Sequence, residues 1–194
     1  MNLLITLLIA HLFADFPLQT NALAQLKERS WYGVLLHVLV HIIVTALLIQ
    51  DSLYYWPLLL GIGSVHFVID GFKLLWPAKK GVVYFLIDQF LHIITLVIAT
   101  YLVQQEWTTT PVSIVSPAWL FPILSGAFIP AVMVLLWLWT NSLSHEFLSH
   151  SSLRHWAKHQ ILSIEQGIGI GLFLVVCLQP TFYSFVNVIQ SNWR

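Results

Sequence analysis

Residues 65–76 read VHFVIDGFKLLW. The stretch is apolar enough to lie in a membrane helix, yet it carries His66, Asp70 and Lys73. Ionisable groups are costly in hydrocarbon, so those found there face the bundle interior and serve a purpose. The rest of the chain supports the membrane reading. Of its 194 residues 58% are hydrophobic and only 8% are charged, where a soluble domain carries roughly 25%. Mean hydropathy is +0.83. The expectation is an all-α integral membrane protein, with residues 1–194 forming a single membrane domain.

Spanning takes about 20 apolar residues at ~1.5 Å each. Six segments qualify: 2–21, 31–50, 53–76, 82–103, 118–140 and 161–187. Pro17 is expected to bend the first. Gly167 and Gly171 allow close helix contact in the sixth. The N-terminus lacks a basic leader and holds His11 and Asp15 where a cleavage site would sit, so it reads as a retained helix. Lys27 and Arg29, then Lys73, Lys79 and Lys80, then Arg154 and Lys158 fall in connections on one side of a six-helix chain. The positive-inside rule makes that side cytoplasmic and places both termini outside. Residues 141–160 are too polar to span, and read equally well as a cytoplasmic interfacial helix or a solvated loop. His145, His150, His155 and His159 within them read as surface histidines.

The intramembrane polar residues follow a spacing. His11 and Asp15, His37 and His41, His66 and Asp70, and Asp88 and His92 are each four apart, on one face of their helix. Counted from Asn21, Trp31, Trp76 and Val82, the residues Asp15, His37, Asp70 and Asp88 lie six positions in, at ~9 Å depth. His11, His41, His66 and His92 lie ten in, at ~15 Å. HLFAD at 11–15 parallels HFVID at 66–70, and LLHVLVH at 35–41 parallels LIDQFLH at 86–92. Residues 1–103 thus read as two hairpin repeats in the same orientation, with residues 104–194 adding two further helices.

Three carboxylates in a low-dielectric bundle call for protons, protonated histidines or a bound cation. Imidazoles and carboxylates at this spacing are ligands for zinc, and also for iron or manganese. His11, His37, His41, His66, Asp70 and His92 are the candidate ligands, with zinc the default. Asp15 or Asp88 is the candidate general base, beside an ion that brings a bound water's pKa toward ~7. Gln19, Gln89 and Lys73 are assigned supporting places behind the ligands. The bland alternative is a set of interhelical hydrogen bonds that only hold the bundle together.

The blocks AHLFADFPLQT, LLHVLVH, HFVIDGFK and FLIDQFLH resemble the bacterial and phage family known as domain of unknown function 3307. The resemblance covers roughly residues 5–95. It implies a small multi-pass protein of the bacterial inner membrane with unsettled activity. The site type is also similar to intramembrane zinc hydrolases such as the alkaline ceramidases, though no motif matches residue for residue.

The leading expectation is a metal-dependent membrane hydrolase acting on a lipid or lipid-linked substrate from the cytoplasmic side. A proton or divalent-metal transporter using the same cluster is the alternative. A di-iron oxygenase ranks lower, since adjacent-histidine boxes are missing. A membrane adaptor working through residues 141–160 would leave the intramembrane groups unexplained. Zero formal charge offers nothing to nucleic acid. Membrane lipids are the expected surroundings, and a homo-oligomer is compatible with the sequence.

Overall fold

The computed structural model describes residues 3–75, 81–107, 113–115, 119–142, 167–175 and 177–178. Its elements are helical: α1 (Leu3–Asp15), α2 (Asn21–Lys27), α3 (Trp31–Leu48), α4 (Trp56–Leu75), α5 (Val82–Glu106) and α6 (Leu120–Ser142), with 167–175 helical as well. Strands are absent among the described residues, apart from one isolated bridge between Ile49 and Ser113. Helices α3, α4 and α5 are long and apolar enough to cross a membrane, while α1 and Leu120–Leu136 are apolar but shorter.

Expectation and structure part first at α1. The segment 2–21 is not one span, because α1 stops at Asp15. Pro17 has no N–H to donate, and its ring would clash with the carbonyl one turn back. The chain then turns and makes a second, short helix where a plain basic connection was expected. Thr20 caps that helix, its hydroxyl accepting from Leu23 N at 3.2 Å. Ser30 caps α3 in the same way, accepting from Gly33 N at 3.0 Å. A Cβ on Gly33 would sit 2.3 Å from the Leu26 carbonyl, so only glycine lets the end of α2 rest on the start of α3. That contact brings Lys27, the last residue of α2, over the first turns of α3. Residues 143–166, including His145, His150, His155 and His159, lie outside the described residues, as do Lys79 and Lys80.

Helix α1 packs on α3, α3 on α4, α4 on α5 and α5 back on α1, which closes a ring. Helix α6 packs outside it, against α1 and α5. Two apolar clusters hold the ring. Ile9, Phe13, Val44, Leu48, Ile123 and Phe173 join α1, α3 and α6 to the last helical segment. Leu3, Leu7, Leu58, Leu96 and Val103 join α1, α4 and α5. On the outer face of α5, Phe90, Leu91, Ile94, Val97 and Ile98 are exposed, while His92 on the inner face is buried. Apolar residues outside and ionisable ones inside is the arrangement expected of helices solvated by hydrocarbon.

Candidate metal centre

The four i, i+4 pairs project from α1, α3, α4 and α5 into the middle of the ring. His11, Asp15, His37, His41, His66, Asp70 and His92 are all buried. Their ring contacts are continuous: His41 to His66 at 3.9 Å between centroids, His66 stacked on His92 at 4.1 Å, and His37 to His41 at 4.6 Å. Each histidine turns its Nε2 toward a carboxylate.

Asp15 is the hub of the first half. Its Oδ1 lies 2.9 Å from His41 Nε2 and 3.0 Å from His37 Nε2, and those two nitrogens are 3.2 Å apart. Its Oδ2 accepts from Gln89 Nε2 at 3.0 Å and lies 3.4 Å from His11 Nε2. His11 Nε2 is also 3.3 Å from Gln89 Oε1. Gln89, on α5, therefore steadies both groups of α1 from across the ring.

Asp70 is the hub of the second half. Its Oδ2 is 3.3 Å from His66 Nε2, 3.5 Å from His37 Nε2 and 3.2 Å from Lys27 Nζ. Its Oδ1 accepts from Lys73 Nζ at 2.6 Å and lies 3.7 Å from His92 Nε2. Lys73 Nζ also reaches Asp88 Oδ1 at 2.7 Å, and that oxygen is 3.4 Å from His92 Nε2. Lys27 Nζ is 3.1 Å from His37 Nε2, which joins the two halves.

A cation fits these donors. Asp15, His37, His41 and His66 each offer an atom within 4.8 Å of the others, and His66, Asp70 and His92 do the same. Ligands ~2.0–2.1 Å from a tetrahedral zinc stand ~3.3 Å apart, close to the edges joining Asp15, His37 and His41. Those edges are awkward for hydrogen bonds alone. If both imidazoles donate to the one oxygen, their two N–H groups crowd each other across 3.2 Å. His66 Nε2 and Asp70 Oδ2 are buried and have no hydrogen-bond partner of acceptable angle among the described residues, nor does His37 Nδ1. Beside the imidazoles of His11, His41, His66 and His92 is a cavity of about 10 Å³, closed by Leu7, Ile62 and Leu96. It has room for roughly one water.

All the intramembrane residues singled out from sequence converge here, save Gln19, which ends up in the turn after α1. Asp15 stands among the atoms able to hold an ion, and His11 stands outside both groups. Lys27 went unrecognised in the sequence, where it reads as one charge of a basic connection. The signal that locates it is Thr20 followed by NALAQLK, a cap and a run of helix formers that ends beside Trp31.

Residues 3–121 match the model of a family described as a protein of unknown function, DUF3307. No curated protein and no solved structure matches the chain.

Proposed function

The chain belongs to the DUF3307 family, whose description leaves the activity open, and from the site we propose a metal-dependent integral membrane hydrolase. One observation carries this reading: Asp15 Oδ1, His37 Nε2 and His41 Nε2 stand 2.9–3.2 Å from one another, with His66 Nε2 beside them and short of a partner. Asp15, His37, His41 and His66 hold the ion, zinc by default. A divalent ion there supplies a Lewis acid that brings water toward ionisation near neutral pH.

The remaining groups have work that follows from their contacts. Gln89 and His11 fix the orientation of the Asp15 carboxylate, so that Oδ1 faces the imidazoles. His92 borders the cavity and has Asp88 Oδ1 behind it at 3.4 Å, a carboxylate–imidazole pair suited to taking a proton. Asp88 thus acts through His92. The apolar walls formed by Leu7, Ile62 and Leu96 exclude bulk water and strengthen every charge inside. The membrane is the bacterial inner membrane, with both termini outside and the connections α1–α3 and α4–α5 in the cytoplasm. The substrate is a lipid or lipid-linked ester, amide or phosphoester reaching the site from that side.

The test is elemental analysis of the full chain purified in mild detergent without chelators. About one divalent ion per chain, lost in His41→Ala, is expected. Metal-free protein that also fails to take up zinc on titration removes the reading.

Transport has one observation behind it, the sharing of His66 by two ligand groups, as between successive stops of an ion. Against it, Thr45, Thr95 and Thr100 turn their hydroxyls back to the carbonyls of His41, Leu91 and Leu96, at 2.8, 3.0 and 2.8 Å. Their hydroxyl protons are thus committed to the backbone, although Thr45 and Thr95 border the cavity. Zinc flux in proteoliposomes that His66→Ala abolishes would favour transport.

A further inference from the structure

The side chains at the centre of the site are buried. Asp70 and His37 have fully buried side chains, and those of His41, His66 and His92 are nearly so. Among the charged groups of the cluster, exposure rises toward the connection ends of the helices: 15% at Lys27, 15% at Asp88 and 45% at Lys73. Two ammonium groups, from the end of α2 and the last turn of α4, therefore stand in the mouth. They grip opposite oxygens of one carboxylate, Asp70, at 3.2 and 2.6 Å.

Charge decides what such a mouth admits. Asp15, Asp70 and Asp88 face Lys27 and Lys73, and the ligating imidazoles of His37, His41 and His66 are neutral, as metal ligands must be. The cluster then carries at most a single negative charge, which a bound dication turns into a net positive one. That charge lies in hydrocarbon, where an unpaired ion is costly. A neutral ester or amide headgroup offers nothing to the two ammonium groups in the mouth. An oxyanion placed between the ion and the mouth compensates the net charge and meets Lys27, whose Nζ is only 3.1 Å from the ligating nitrogen of His37. Lysine ammoniums are effective point-charge partners for phosphate oxygens.

We propose that Lys27 and Lys73 form an anion-recognition pair at the mouth of the centre, and that the substrate is a phosphate ester whose oxyanion docks between them and the ion. This rests on the metal centre proposed above and narrows its substrate to phosphoesters. The phosphate arrives on a lipid headgroup or on a small soluble ester, and both share the recognising chemistry. Lys73 meets the phosphate first and lets go of Asp88. Lys27 holds it against the ion.

The experiment uses the full chain loaded with cobalt(II) in phosphatidylcholine nanodiscs, with the visible cobalt band as readout. Inorganic phosphate and dihexanoyl phosphatidic acid are titrated separately, with dihexanoyl glycerol as the neutral control. The expected result is a saturable band shift with phosphatidic acid and none with the glycerol. Lys27→Met should weaken binding about tenfold and Lys73→Met about threefold, with Lys27→Arg close to wild type. Tighter binding of phosphatidic acid than of inorganic phosphate identifies the lipid source, and equal binding identifies the soluble one. Cobalt uptake without a band shift from either anion overturns this proposal and leaves the metal centre standing. Equal binding by wild type and both Met variants does the same. Failure to take up cobalt overturns both.

Discussion

In the first hairpin Asp15 meets His37 and His41 across the α1–α3 contact; in the second, Asp70 and Asp88 meet Lys73 across the α4–α5 contact. The sequence pattern is shared, His-x3-Asp on the leading helix and a pair four apart on the returning one. Two departures set the halves apart. Asp88 stands where the first hairpin has His37. Lys73, three residues past Asp70, stands where the first has Leu18, three past Asp15. The two departures touch each other at 2.7 Å. The second half thus has a carboxylate where the first has an imidazole, and an ammonium beside it that neutralises the charge. The second hairpin therefore carries its own cation on its own helix. The first brings together imidazole nitrogens and one carboxylate, and its nearest ammonium, Lys27, comes from α2 and not from either helix of the pair. Similar helix faces thus differ in charge balance through a single compensated pair.

The largest effect that could break this comparison comes from removing one ligand from each half. His41→Ala should reduce bound zinc from about one per chain to below ~0.1, whereas His92→Ala should retain most of it, as measured by elemental analysis of purified protein. Equal loss in both variants would add His92 to the groups that hold the ion. Making the hairpins alike is the next test. In Lys73→Leu/Asp88→His the second half gains the donors of the first, and zinc should rise toward about two per chain. A content that stays at one would mean that geometry, not the compensated pair, separates the halves.

Gln89 crosses from the second hairpin to hold Asp15, so Gln89→Leu should weaken zinc about tenfold in a chelator competition while leaving the stoichiometry unchanged. The smallest expected effect is on stability. Lys73→Met leaves Asp70 and Asp88 short of a counter-charge and should cost ~1–2 kcal/mol in detergent unfolding, a value reduced by the exposure of Lys73. Lys73→Met/Asp88→Asn should recover most of that loss. A double variant as unstable as the single one would show that the pair does not act as a unit.

Much of the centre is legible before any coordinates. Two residues four apart must share a helix face, and carbon chemistry makes a buried ionisable face costly unless it meets another. Four such faces were therefore expected to meet, although the count from Asn21 fails for α1, which ends at Asp15. What reading by spans missed was the break at Pro17. A window that counts apolar residues runs through Pro17 and Leu18 and ends at Asn21, so it hides α2 and leaves Lys27 in a loop. The division of labour within the cluster was equally out of reach. Asp15 and Asp70 hold equivalent positions in their repeats, and only their partners tell them apart.

The sequence by itself settled that this chain is helical and that its polar groups line one face of each of four helices, because helix pitch and the cost of charge in hydrocarbon are local rules. Only the tertiary structure decided which imidazoles approach to within about 3 Å of Asp15, which carboxylates take a lysine, and that Lys27 reaches the site at all. Those outcomes depend on how the ring closes and on α2 seating against Gly33. They are distances between groups up to dozens of residues apart, and no local rule encodes them.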